Sequence, residues 1–259
     1  MKVICIIPAR YDSTRFPGKP IADLCGRPLI RHVYERVLRA KTVSYAAVAT
    51  DDERIFAAVQ KFGGHAVMTS ATHRSGTDRI AEAVSKLNFK DTDIVVNIQG
   101  DQPLFEPSQI DEVAKPLLDD PTIPMSTLIY KIVRAEEITH PNAVKVVFDK
   151  DHFAIYFSRA TIPCVRDKGL EVSYYKHHGI YAYRRDFLET FTRLPEGVLE
   201  KLEALEQLRA MEHGYRIKVV ETRYDSVEVD TPQELERVKS LISHNSPFYK
   251  GGLKGILQS

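Results

Sequence analysis

The sequence is poor in cysteine and has no excess of charge of either sign. Its three cysteines, Cys5, Cys25 and Cys164, are widely separated and in no CxxC spacing. Neither a disulfide framework nor a zinc site is indicated, and reduced thiols in a cytoplasm are the economical reading. Lys plus Arg number 36 and Asp plus Glu 35, a formal net charge of +1, which argues against binding nucleic acid or a membrane surface through bulk positive charge. Any polyanion must be met locally. Long apolar runs are also missing. The opening MKVICIIPAR holds one too short for a signal-peptide core, and no later stretch approaches membrane-spanning length, so a cytoplasmic protein is expected. Gly and Pro number only 13 and 14, which excludes collagen-like and low-complexity chains. The absence of GxGxxG, HExxH and GxSxG motifs removes support for a dinucleotide cofactor, a zinc enzyme or an elbow-type serine hydrolase.

What is present is a chain of 259 residues, 43% hydrophobic, enough to bury a full-sized core. Short β-rich runs alternate with amphipathic stretches: strands over 3–9, 45–51 and 93–101, helices over 28–40, 52–63, 76–87 and 107–120. Strands apolar on both faces and separated by helices indicate a parallel sheet covered on both sides. Beyond residue 121 the texture changes to strands over 125–133, 143–149, 153–160 and 179–186 with few helices between them, an antiparallel or mixed extension. One helix over 198–214, a strand over 217–223 and a helix over 231–243 follow, and residues 244–259 read as a tail. No repeat or long linker appears, so the expectation is a single domain over 1–243 whose two lobes, 1–120 and 121–243, share one sheet.

In open α/β sheets ligands bind beyond the carboxyl ends of the parallel strands. The first such loop, Ala9 to Pro20, carries Arg10, Arg15 and Lys19 with one acid, Asp12, and reads either as a phosphate cradle or as a solvated basic turn. It is not a Walker A loop, since Ser13 stands at the first Gly position and Pro20 follows the Lys. Residues 1–40 hold eight basic groups against three acidic ones, so the near-neutral total hides a dipolar chain. The second loop places Asp101 just past a buried strand, where a carboxylate can hold Mg²⁺. In the third, Glu228-Val229-Asp230-Thr231-Pro232, Asp230 or Thr231 is a natural helix N-cap, and that use of Asp230 competes with a metal-binding one. Taken alone, His177, Tyr181 and Ser75 read first as packing groups and a helix cap.

Together these loops resemble the 3-deoxy-manno-octulosonate (KDO) cytidylyltransferase family across roughly residues 1–243. IIPARYDSTRFPGKP, HRSGTDR, VVNIQGDQP, NAVKVVFD, YFSRATIP, KHHGIYAYR, LEALEQLR and VDTPQELERV occur in the family's order. The resemblance implies a Rossmann-like, mainly parallel α/β sheet with helices on both faces and a smaller mixed extension, with a nucleotide-binding half at 1–120 and a sugar-binding and dimerisation half at 121–243. It also implies a cytoplasmic, Mg²⁺-dependent, usually dimeric enzyme that makes CMP-KDO and pyrophosphate from CTP and KDO for lipopolysaccharide biosynthesis. By the same resemblance Arg10, Ser13, Arg15, Lys19, Ser75 and Gln99 face the nucleotide, and Asp101 and Asp230 bind Mg²⁺ and with Lys19 form the catalytic set. Arg159, Arg166, His177, Tyr181, Glu206 and Gln207 form the sugar site. Gln102 departs from the family's commonest Glu and puts a third acid near the metal in doubt. Competing expectations are a related acid sugar, 8-amino-KDO or sialic acid, and a module that senses CTP without turnover.

Overall fold

Strand β1 (Val3–Ala9) is buried along its whole length, and its alternating side chains feed two separate cores. Val3, Cys5 and Ile7 belong to one apolar cluster, Ile4 and Ile6 to the other. A strand with no polar face must lie inside a sheet covered on both sides, each fully buried Ile or Val contributing roughly 1.5–3 kcal/mol. The computed structural model describes residues 1–13, 15–167, 169–225 and 227–243; the tail expected at 244–259 lies outside them.

The remaining strands are β2 (Asp23–Leu24), β3 (Arg27–Pro28), β4 (Val43–Thr50), β5 (Ala66–Met68), β6 (Ile94–Asn97), β7 (Met125–Lys131), β8 (Lys145–Phe148), β9 (Ala154–Ser158), β10 (Tyr175–Arg184) and β11 (Ile217–Glu221). The helices are α1 (Leu29–Val37), α2 (Glu53–Lys61), α3 (Gly76–Ser85), α4 (Ser108–Asp119), α5 (Ala135–Thr139), α6 (Arg185–Arg193), α7 (Val198–Glu203), α8 (Leu208–Glu212) and α9 (Pro232–Ser243).

The main sheet runs β11-β7-β10-β6-β1-β4-β5, with β8 and β9 added beside β10. β1 pairs in parallel with β4 and β6, and β11 with β7, while β10 is antiparallel to both of its central neighbours. Helices α1, α2, α4 and α9 cover one face, and α3, α6 and α8 the other. The expected Rossmann-like sheet with a mixed extension is thus present. Among the described residues no helix is long and apolar enough to cross a membrane.

Two local expectations are corrected, and β5 falls where the sequence pattern predicts no element. The strand read over 179–186 begins at Tyr175 and gives way at Arg185 to α6, whose Phe187, Leu188 and Phe191 are buried. β5, short and half-buried, carries no alternation from which to read it. The helix expected over 198–214 is two helices, α7 and α8, broken at Ala204, which adopts a left-handed conformation with φ of 50°. The break is held by Arg159, which donates from Nε to the Glu203 carbonyl (2.6 Å) and from Nη2 to the Ala204 carbonyl (3.2 Å). A left-handed non-glycine residue costs on the order of 1–2 kcal/mol and persists where its surroundings fix it.

Candidate active site

The carboxyl ends of β1 and β6 open into a cleft of about 250 Å³. Its walls include Arg10, Ser13, Arg15, Lys19, Ser75, Gln99, Asp101 and Asp230, which are all the residues expected at the nucleotide and metal. The sheet explains the gathering, because β1 and β6 are adjacent and parallel, so the loops leaving them emerge side by side. Gly100 permits the close approach: a Cβ there would lie 2.9 Å from the Pro8 carbonyl oxygen. Gly18, at φ of 71°, folds the cationic loop back on itself through a bond from its N–H to the Tyr11 carbonyl (2.9 Å).

At the cleft floor the Lys19 ammonium lies 2.8 Å from Asp101 Oδ2 and 3.2 Å from Asp230 Oδ1, and Arg15 reaches Asp230 Oδ2 at 3.1 Å. The two uses considered for Asp230 are separated by geometry. Thr231 Oγ1 accepts from the Glu234 N–H, while Glu234 Oε2 accepts from the Thr231 and Asp230 N–H groups. This reciprocal cap rests on Thr231 and Glu234 and leaves the Asp230 carboxylate facing Lys19. Ser75 caps α3, its hydroxyl accepting from the Asp78 N–H (3.1 Å), and lines the cleft as well.

Two aspartates in one cleft suit a hard divalent cation. Such an ion takes oxygen ligands, dehydrates reluctantly, and is commonly held by one or two carboxylates with substrate phosphates completing its shell. Among the described residues no group of three or more His, Cys, Asp or Glu forms a metal-binding cluster.

The sugar-side residues are gathered less completely. His177 and Tyr181 share one face of β10, their rings 5.2 Å apart across a bulge between His178 and Tyr181. Thr127 Oγ1 lies 2.9 Å from His177 Nε2 and 2.9 Å from the Ile180 carbonyl oxygen. Burial first, and then the neighbouring His178, push the His177 imidazole down to about 3, so it is neutral near pH 7. Burial, then the charge of Glu206, hold the Tyr181 hydroxyl well above its ordinary value.

Glu206 and Gln207 stand where α7 and α8 part. Thr77 donates to Glu206 Oε2 (2.5 Å). Burial raises the Glu206 carboxyl, against the opposing hydrogen bonds from Thr77 and Ser75. Two buried atoms here have no hydrogen-bond partner among the described residues, Glu206 Oε1 and Gln207 Nε2. Arg159 donates to the carbonyls of Pro141, Glu203 and Ala204. Arg166 is exposed, and no hydrogen bond or ion pair among the described residues joins it to the other five. His177 lines a separate cleft of about 450 Å³, with Lys176, His178 and Asp225.

Several cleft residues escaped the sequence reading. His73, Arg74, Gly76 and Arg79 also line the nucleotide-side cleft. The signal was there for Arg74, a cation one residue before a helix N-cap, where the dipole favours anions. Arg79 is spoken for, pairing with Asp51 (2.9 Å) and Thr69 (2.6 Å). The link from Gln102 Nε2 to Glu228 Oε1 (3.0 Å) joins two loops that were read separately.

Comparison with known proteins adds four findings. A sequence profile of the cytidylyltransferase family matches residues 4–218. A 3-deoxy-manno-octulosonate cytidylyltransferase of Syntrophus aciditrophicus is 71% identical over 93% of this chain and 97% of its own length. An 8-amino-3,8-dideoxy-manno-octulosonate cytidylyltransferase of a Shewanella species (strain ANA-3) is 51% identical over 94% of this chain and 99% of its own. Among solved structures, CMP:2-keto-3-deoxy-manno-octonic acid synthetase complexed with CTP superposes with a TM-score of 0.89 at 44% identity, covering 94% of this chain and 99% of that one.

Proposed function

The chain belongs to the cytidylyltransferase family, and on that premise we propose that it transfers CMP from CTP to the anomeric hydroxyl of KDO, releasing pyrophosphate and activating the sugar for lipopolysaccharide biosynthesis. The observation that carries this reading is the convergence of Lys19, Asp101 and Asp230 at the floor of a cleft whose rim supplies Arg10, Arg15 and Arg74.

In the reaction the anomeric oxygen attacks the α-phosphorus, its proton leaves, and the bond from the α-phosphorus to the oxygen bridging to the β-phosphate breaks. Asp101 and Asp230 would hold Mg²⁺. When bound, the ion supplies Lewis-acid polarisation of phosphate oxygens and neutralises their charge. Arg10, Arg15 and Lys19 meet the triphosphate and stabilise the charge that gathers on departing pyrophosphate. Ser13, Ser75 and Gln99 line the nucleotide's side of the cleft.

On the sugar side, Gln207 Nε2 is a buried donor with no hydrogen-bond partner among the described residues, and Glu206 Oε1 is a buried acceptor with Arg209 Nη2 at 4.0 Å and no hydrogen bond, which suits a polyhydroxylated ligand. Polar groups of this kind discriminate because the wrong ligand leaves them unpaired. Neutral His177 and protonated Tyr181 hydrogen-bond without adding charge. Arg159 and Arg166 are the cations proposed for the sugar carboxylate; three of the five Arg159 N–H donors go to carbonyls, which leaves two for that contact. In this reading residues 1–120, together with Asp230, serve the nucleotide, and the rest of 121–243 serves the sugar and a homodimer contact. The exposed Val198, Leu199 and Leu202 on α7 and Ile155 on β9 support the homodimer, and the enzyme works in the cytoplasm.

The test is pyrophosphate release with CTP, Mg²⁺ and KDO each omitted in turn. Release that needs all three is expected; none from the complete mixture overturns the assignment and leaves a different acid sugar or CTP binding without turnover. A second reading, 8-amino-KDO as acceptor, is favoured by the Shewanella relative. Competition between the two sugars decides between them, with KDO preferred on the present reading.

A further inference from the structure

Asp101 and Asp230 come from loops that follow β6 and precede α9, and Lys19 bridges them. A cation taken by these carboxylates competes with the Lys19 ammonium for the same oxygens. Their spacing in the loaded site must therefore be set by something other than Lys19.

Two hydrogen bonds join the loops independently of it. The Val229 N–H donates to the Asp101 carbonyl (2.9 Å), a main-chain bond that most side chains would leave intact. Gln102 Nε2 donates to Glu228 Oε1 (3.0 Å), a bond that requires these two side chains. Gln102 directly follows Asp101 and is fully buried, while Glu228 lies two residues before Asp230. The other end of the Gln102 amide, Oε1, has no partner among the described residues, so the bond to Glu228 is the one that orients it there. Outer groups that orient carboxylate ligands commonly change metal affinity by about 10–100-fold when removed.

We propose that Gln102 and Glu228 are positioning residues, a side-chain tie that holds the Asp101 and Asp230 loops at the separation a divalent cation needs. The tie acts through the backbone on either side of it, and neither residue is required to touch metal or substrate. Its bearing on turnover rests on the cytidylyltransferase reading; its bearing on metal affinity does not.

The experiment measures Mn²⁺ binding to the full chain at saturating CTP by electron paramagnetic resonance, beside metal-free CTP affinity and melting temperature. Gln102→Leu and Glu228→Leu should each weaken Mn²⁺ binding about tenfold or more, with metal-free CTP binding and melting little moved. Glu228 lines the rim of the 450 Å³ cleft and not the core, so its variant keeps the test open even if the buried Gln102→Leu substitution does not fold. Glu228→Gln keeps an oxygen for the Gln102 amide and should stay within about threefold of wild type, and the double variant should be little worse than either single one. Wild-type Mn²⁺ affinity in Glu228→Leu, or a loss in Glu228→Gln as large as in Glu228→Leu, overturns the proposal. Wild-type protein that binds Mn²⁺ with CTP yet releases no pyrophosphate overturns the functional reading and leaves the tie standing.

Discussion

The nucleotide cleft and the sugar side are built in opposite ways. The cleft draws most of its charge from one loop and closes it with two aspartates at the ends of neighbouring elements, and every residue expected there lines one cavity. The sugar side draws on β10, the break between α7 and α8, and the segment after β9, and of its expected residues only His177 lines either of the two clefts described. The difference follows from topology. Parallel strands deliver their loops to a common edge, whereas a mixed extension brings side chains together only through bulges and helix breaks.

The comparison breaks most readily at the metal pair. Asp101→Asn and Asp230→Asn should each lower kcat by about 100-fold or more while melting stays near wild type, because each removes a hard anionic ligand from a partly exposed site. Near-normal turnover in both would remove the cleft from the chemistry. Lys19→Ala should lower kcat by roughly 10²–10³-fold, the loss typical of one preorganised contact to developing charge.

On the sugar side the expected signature is a KM effect. Gln207→Leu should raise KM for the sugar by about tenfold or more and leave KM for CTP alone, since it removes the unmatched donor. Equal changes in both constants would merge the two regions into one. Stability should respond to acid through the second region. Free imidazole titrates near 6.5, but His177 in the fold titrates near 3. Its stabilisation is therefore present above about pH 6.5 and lost as the pH falls toward 3. For Asp225, burial opposes ionisation, but His178 and Lys176 outweigh it and hold the carboxyl at about 2, against an ordinary 3.8. Its contribution is lost lower, as pH falls from about 4 toward 2. Melting temperature should drop between pH 6.5 and 4 in wild type and drop less in His177→Gln. The smallest effect is expected at the α9 cap, where Thr231→Ala should cost about 1 kcal/mol of stability and leave KM for the sugar unchanged.

The same contrast governs what could be read from the residues alone. The cleft was legible because its chemistry is local: Arg10, Arg15 and Lys19 fall within ten residues after an apolar strand, and Asp101 lies four residues beyond another. The ambiguity of Asp230 was not resolvable there, since choosing Thr231 as the cap depends on the Glu234 side chain folding back. On the sugar side, composition and spacing offered only packing roles for His177 and Tyr181, and it was the family resemblance that singled them out. The α7–α8 break was invisible because VLEKLEALEQLRAMEHG has the period of one continuous helix, and a tertiary contact from Arg159 overrides it. The Gln102–Glu228 tie likewise joins residues whose proximity only the assembled sheet and α9 create.

The central claim, that the cleft activates CTP for attack by an acid sugar held on the far side, is tested most directly by ³¹P magnetic resonance of the wild-type protein. With CTP, Mg²⁺ and KDO together, the account predicts loss of the three CTP signals and equal growth of a CMP-sugar phosphodiester signal and pyrophosphate, with no change when the sugar is left out. Pyrophosphate without a sugar phosphodiester, or an unchanged CTP spectrum in the complete mixture, would contradict it.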